Sequence, residues 1–146
     1  DIFIQGQHGN EILNSNNFEL ESGNGLSNAS VNMLDRWTPE NPSNKYPRAN
    51  RNTDYLHMSD RYLEDGSYVR IKVITVSYNL PSRWMKTLKI SDARVYLTGE
   101  NLFTFTNYSG FDPEVSRFAF DNTRIGYDYG GYPSARTYLA GIVVNF

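Results

Sequence analysis

Asp112 and Glu114 stand two residues apart in the stretch Tyr108-Ser-Gly-Phe-Asp-Pro-Glu-Val115, a spacing that invites a paired-carboxylate reading. Two carboxylates can divide acid and base work across a glycosidic bond. Asp112 also precedes Pro113, and an Asp there fixes a turn by accepting backbone N–H groups. The turn role is the expectation for both residues. His8 and His57 are far apart, without HxH or HxxxH spacing, so no metal site is expected. The chain has no cysteine, which removes disulfide frameworks and Cys-ligated zinc. No Ser-His-Asp pattern or glycine-rich phosphate loop stands out. The expectation is therefore no catalytic residue, no cofactor and no enzyme. Asn28-Ala-Ser30 and Asn107-Tyr-Ser109 match a glycosylation sequon, a match that chance produces often. A net charge of −2 also argues against a nucleic-acid partner held by a basic field.

The remaining chemistry is that of surfaces, and the strands must present it. The chain carries 11 Tyr, 8 Phe and 11 Gly, a mixture that favours β-structure with glycine turns. Four stretches alternate with period two. The first is read as Ile2 to Ile12 and the second as Tyr68 to Leu80. The third, Ala93 to Thr106, is the clearest. Its odd positions include Ala93, Val95, Leu97, Phe103 and Phe105, and its even positions include Arg94, Thr98, Glu100 and Thr104. The fourth is Thr137 to Phe146, with Tyr138, Ala140, Ile142, Val144 and Phe146 on one face.

Such alternation fits two architectures. One is a half-buried sheet in water, here a soluble β-sandwich that binds carbohydrate. The other is a transmembrane β-barrel, whose strands turn one face to lipid and the other to the lumen. No apolar run approaches the roughly 18 residues of a membrane helix, but barrels cross without one. The connections separate the two. Residues 81–91 make a short link, whereas 13–66 and 107–134 are long. Two such loops are unusual in a compact soluble domain and ordinary on the outer side of a barrel. The first loop is expected to hold a short helix within Ser27–Arg36, before Pro39, Pro42 and Pro47 interrupt regular structure. Starting at Asp1 directly in strand-like alternation, the chain reads as a piece of a longer one.

Particular motifs then point further. Asp35-Arg-Trp-Thr-Pro-Glu-Asn-Pro42 is followed by Pro47-Arg48 and by Ser59-Asp-Arg-Tyr-Leu-Glu-Asp-Gly-Ser-Tyr-Val-Arg-Ile-Lys72. Next come Gly99-Glu-Asn-Leu-Phe-Thr-Phe-Thr106, the 108–115 segment, Asp128-Tyr-Gly-Gly-Tyr-Pro133 and the terminal aromatic strand. In this order they resemble the C-terminal part of the SusC/RagA family of TonB-dependent outer-membrane transporters.

The resemblance covers essentially the whole of 1–146 and implies an all-β fold. These residues would supply about four C-terminal strands of a 22-stranded transmembrane antiparallel β-barrel with long extracellular loops; the N-terminal plug domain would lie elsewhere in the protein. The implied function is part of an importer of glycans or oligopeptides. Its implied partners are a SusD-like surface lipoprotein, the remainder of the transporter chain, the TonB complex reached through the missing N-terminal region, the glycan or peptide ligand, and the lipid bilayer. The place is the cell outer membrane, with the C-terminus in the periplasm.

On this reading Val95, Leu97, Tyr138, Ile142 and Val144 face lipid, and Tyr78, Trp84 and Tyr138 join an interfacial aromatic girdle. Tyr138 and Phe146 form an assembly signal. Trp37, Phe111, Asp112, Glu114, Phe118, Phe120, Tyr129 and Tyr132 belong to extracellular loops open to partner contact. Packing of the long loops against themselves is the expectation for most of their aromatics. Asn101 breaks an otherwise apolar face, and a bulge that turns it inward would account for it.

Overall fold

The computed structural model describes residues 1–23, 28–49, 59–88, 90–118, 121 and 123–145. In chain order the elements are β1 (Ile2–Gln7), β2 (Glu11–Asn14), α1 (Ser15–Leu20), β3 (Leu63–Asp65), β4 (Tyr68–Asn79), α2 (Ser82–Leu88), β5 (Asp92–Thr106), β6 (Tyr127–Asp128) and β7 (Thr137–Asn145). Short 3-10 turns occupy Val31–Asp35 and Asp60–Tyr62. The chain divides into two units. One comprises Asp1–His8, Ser67–Asn107 and Ser134–Phe146; the other comprises Gly9–Gly66 and Tyr108–Pro133.

The first unit is an antiparallel sheet in the order β1-β4-β5-β7. Its central strands are long, 12 residues in β4 and 15 in β5. Either exceeds the 9–11 residues that cross a hydrocarbon layer at a tilt. Alternation held by register is what makes this sheet two-faced. Near Asn101 the pairing shifts: Val73 pairs with Glu100 and Ile71 with Phe103, so Asn101 and Leu102 together oppose Lys72. This is the expected β-bulge. Asn101 has φ 52°, the left-handed region that Asn tolerates better than most residues, and its side-chain amide donates to the Ala135 carbonyl at 3.1 Å.

The link between β4 and β5 is short, as expected, but it contains a helix that the periodicity did not announce. β4 ends at Asn79, two residues before Pro81, and the Trp84 N–H closes the first turn of α2 on the Pro81 carbonyl. Among the described side chains of α2, Met85 is the buried one.

The second unit is built from the two long connections together. Its small sheet has the order β3-β2-β6, with β2 antiparallel to β3 and parallel to β6. Among the described residues, Ile12, Met33, Tyr46, Tyr62 and Tyr108 form its buried apolar set, and Phe18 meets Tyr62 edge-on at 5.5 Å. Arg61 stacks near the rings of Tyr46 and Tyr62 and pairs with Glu21 at 2.9 Å.

One boundary requires correction. The first alternating stretch is not a single strand to Ile12: it ends at Gln7, and Glu11–Asn14 belongs to the other sheet. Gly9 adopts φ +79°, a conformation that breaks strand geometry at little cost only for glycine. Ile12 is then 1% exposed in the core of the second unit. The helix expected within Ser27–Arg36 is a 3-10 turn at Val31–Asp35 with Ser30 as its cap, while residues 24–27 lie outside the described residues.

Candidate functional site

The four-stranded sheet offers two surfaces of different chemistry. On the first, cross-strand rows run Ile2–Ile74–Gly99–Tyr138, Val76–Leu97–Ala140 and Tyr78–Val95–Ile142, and the far end adds Ile4–Ile71–Phe103 and Val69–Phe105. Many of these side chains are open: Leu97 is 58% exposed, Tyr138 71% and Ile142 68%. Val144 is exposed too, and Val95 is half-buried. A contiguous apolar surface of this kind requires a non-aqueous neighbour.

The opposite surface is mixed: it carries most of the polar side chains of β4 and β5, with Phe3, Val73, Leu139 and Val143 among them. Its rows include Gln5–Arg70–Thr104, Thr75–Thr98–Leu139, Ser77–Tyr96–Gly141 and Asn79–Arg94–Val143. Arg70 is 3% exposed and its Nε donates to Thr104 Oγ1 at 2.7 Å. The Thr75 and Thr98 hydroxyls share a hydrogen bond of 2.9 Å, and Gln5 donates to the Tyr68 hydroxyl. The Tyr96 ring lies across Gly141, occupying the space that any side chain at 141 would need.

In the second unit a carboxylate joins segments distant in sequence. Glu64 on β3 accepts hydrogen bonds from the side-chain amides of Asn14 (2.9 Å) and Asn17 (3.0 Å). It also accepts from the Ser109 hydroxyl and the Ser109 N–H, both at 2.8 Å. Beside this, the buried Tyr108 hydroxyl donates to Asp128 Oδ2 at 2.7 Å. Burial first, then the hydrogen bond and negative charge of Asp128, hold the Tyr108 phenol far above its ordinary value. Asp128 also receives the Gly131 N–H, and Asn16 receives the Gly130 N–H. Gly130 sits at φ +68°, so these bonds fix the turn that carries Tyr129 and Tyr132.

Replacing Tyr108 by Phe removes a donor from a buried carboxylate and should cost this unit about 1–3 kcal/mol. The sign with pH follows from the raised phenol. An unfolded tyrosine titrates near 10, so the contribution is complete below that pH and declines above it. Hydrogen exchange of the loops in the full-length protein should show protection falling above about pH 10, and falling less in Tyr108→Phe. A Tyr108→Phe protein with wild-type protection at pH 7 would contradict this role for Tyr108.

The structure separates the loop residues singled out above. Asp112 is 2% exposed, and its Oδ1 accepts the Glu114 N–H at 3.0 Å, the geometry of a turn. Among the described residues no group of three His, Asp or Glu side chains could hold a metal. Phe111 (81% exposed) and Tyr132 (91%) project into solvent, while Trp37 and Tyr129 are partly open. Phe118 is half-buried against Tyr127, with Arg117 and Arg124 over its ring. Phe120 and Phe146 lie outside the described residues. The expectation that loop aromatics pack on themselves holds for Tyr46 and Tyr62 and not for Phe111 or Tyr132. Glu64, Ser109, Tyr108 and Asp128 all lie in the motifs quoted above; nothing in the sequence marked Asn14 or Asn17 as their partners.

No family model matches the chain. Over its whole length it is 38% identical to the TonB-dependent receptor P3 of Formosa agariphila, and over 99% of its length 36% identical to the TonB-dependent receptor P26 of the same organism. It is 35% identical over 91 residues, 62% of the chain and 8% of that receptor, to the TonB-dependent receptor SusC of Bacteroides thetaiotaomicron. Among solved structures, the RagAB peptide importer in its open-open state matches the entire chain with a TM-score of 0.84 and 30% identity. The chain belongs to the SusC/RagA family of TonB-dependent receptors, as a C-terminal part.

It spans about 15% of the length of the P3 and P26 receptors and of the matched chain of the RagAB importer. The closed-closed state of that importer matches equally well, at 0.84. The likeness therefore resides in architecture that both states share. SusC/RagA receptors are outer-membrane proteins. Among the described residues no helix is long and apolar enough to cross a membrane, which says nothing of strands.

Proposed function

We propose that these residues are a lipid-embedded wall segment of an energised outer-membrane importer. The observation that carries this reading is the contrast between the two surfaces of one sheet: one is a continuous, open apolar surface, and the other carries the hydrogen-bonded polar groups of β4 and β5 together with Phe3, Leu139 and Val143. In a barrel the first faces lipid and the second the lumen. Val95, Leu97, Tyr138, Ile142 and Val144 then contact the bilayer, and Arg70, Thr75, Arg94, Thr98 and Glu100 line the lumen. The remaining strands, to a total of 22, and the plug come from the rest of the receptor. A water-soluble carbohydrate-binding sandwich is disfavoured, because the apolar surface would lie open to water.

The unit formed by the long connections is proposed to be extracellular, with the turn at 81–91 and the C-terminus periplasmic. Its exposed Phe111 and Tyr132 suit contact with a SusD-like lipoprotein partner, with peptide or glycan as cargo and the TonB complex as the energy source. The presence of the RagAB peptide transporter among the structural relatives supports this assignment. Deleting residues 118–123 from the full-length receptor should lower ligand uptake or co-purification of the lipoprotein while barrel assembly stays normal. Wild-type uptake together with normal co-purification would refute the partner assignment.

A further inference from the structure

We propose that α2, in the turn between β4 and β5, docks on the phosphate headgroups of anionic phospholipid at the membrane surface. The proposal rests on the membrane reading above and adds a lipid class to it. Three observations converge. First, Met85 is 4% exposed, which pins one side of α2 to the protein; Arg83, Trp84 (51% exposed) and Lys86 lie open around it. Second, residues 82–88 carry two basic side chains and no acidic one, within a chain whose net charge is −2. Third, the turn continues directly from the apolar surface. The Leu80 N–H bonds the Ala93 carbonyl and the Ser91 N–H bonds the Asn145 carbonyl, both at 2.8 Å, so the turn is fastened to the strands that carry Tyr78, Ile142 and Val144.

This arrangement has a specific chemistry. Trp prefers the headgroup level, where its ring is half apolar and its N–H can reach polar groups. Arg and Lys beside it bury their stems and present their charges at the surface. Short cationic amphipathic helices bind in this plane by combining apolar burial with attraction to anionic lipid. One basic residue near an anionic surface strengthens the attraction roughly fivefold, so two contribute roughly 10- to 30-fold.

The test uses the full-length receptor in lipid nanodiscs with a fluorophore on Ser82→Cys. Two mixtures are compared: brominated phosphatidylglycerol in plain phosphatidylcholine, and brominated phosphatidylcholine in plain phosphatidylglycerol. The expected result is stronger quenching by the brominated phosphatidylglycerol at equal mole fraction, with the preference reduced about 10-fold or more in Arg83→Gln/Lys86→Gln. Equal quenching by the two lipids overturns the proposal and leaves the membrane reading standing. A preference that survives the double substitution overturns the assignment to these residues. No quenching by either lipid places the turn away from the membrane and overturns the underlying reading too.

Discussion

A lysine at Leu97 in the full-length receptor should cost about 2–4 kcal/mol of barrel stability, whereas a lysine at the adjacent Thr98 should cost much less. The two positions share a strand and differ in face. Leu97 lies between Val76 and Ala140 in an apolar row and is 58% exposed. Thr98 lies between Thr75 and Leu139 and bonds the Thr75 hydroxyl. A charge on the lipid side must be drawn out of hydrocarbon or neutralised, and a charge on the lumenal side meets water and polar neighbours. Urea unfolding in bilayers or heat-dependent electrophoretic mobility would read the difference. Equal costs at Leu97 and Thr98 would remove the assignment of faces.

Glu64→Ala should produce the other large effect, confined to the second unit. It deletes one acceptor of four hydrogen bonds and leaves the Asn14 amide, in a residue 2% exposed, short of a partner. Hydrogen bonds to a charged group contribute more than neutral ones, but Glu64 is half-buried and the four bonds are not additive. An overall cost of about 2–4 kcal/mol is expected. Residues 9–20 and 108–110 should then exchange amide hydrogens faster and become protease-sensitive, while the amides of β4 and β5 keep their protection. Unchanged exchange at Asn17 and Ser109 would show that Glu64 does not hold these segments together.

The long strands were legible in the sequence because period two runs through β4, β5 and β7, with one face continuously apolar in Val76, Leu97, Ala140, Tyr78, Val95 and Ile142. Asn101 was legible as an anomaly, one polar residue in an apolar series, and the bulge accounts for it. The turn role of Asp112 was legible from the proline that follows it. The first alternating stretch misled because Ile12 continues the period past a glycine whose positive φ ends the strand. The small sheet gave no periodic signal: its strands are two to four residues long, and β6 joins β2 across more than a hundred residues. The Glu64 cluster was illegible for a related reason, since Asn14, Glu64 and Ser109 meet only after folding. The helix α2 was hidden by its length, because seven residues between a proline and a strand display less than two turns of amphipathic pattern.

The central claim is that this sheet crosses the outer membrane with its long connections outside and its short turn inside. Cysteine accessibility on intact cells tests it most directly, using full-length receptor carrying Asn44→Cys, Tyr132→Cys or Ser82→Cys and a membrane-impermeant thiol reagent. Asn44 and Tyr132 are exposed in the long connections, and Ser82 is exposed at the start of α2. Labelling at positions 44 and 132, with labelling at 82 only after the cells are broken, is the predicted result. Labelling of 82 on intact cells with protection of 44 and 132 would contradict the account.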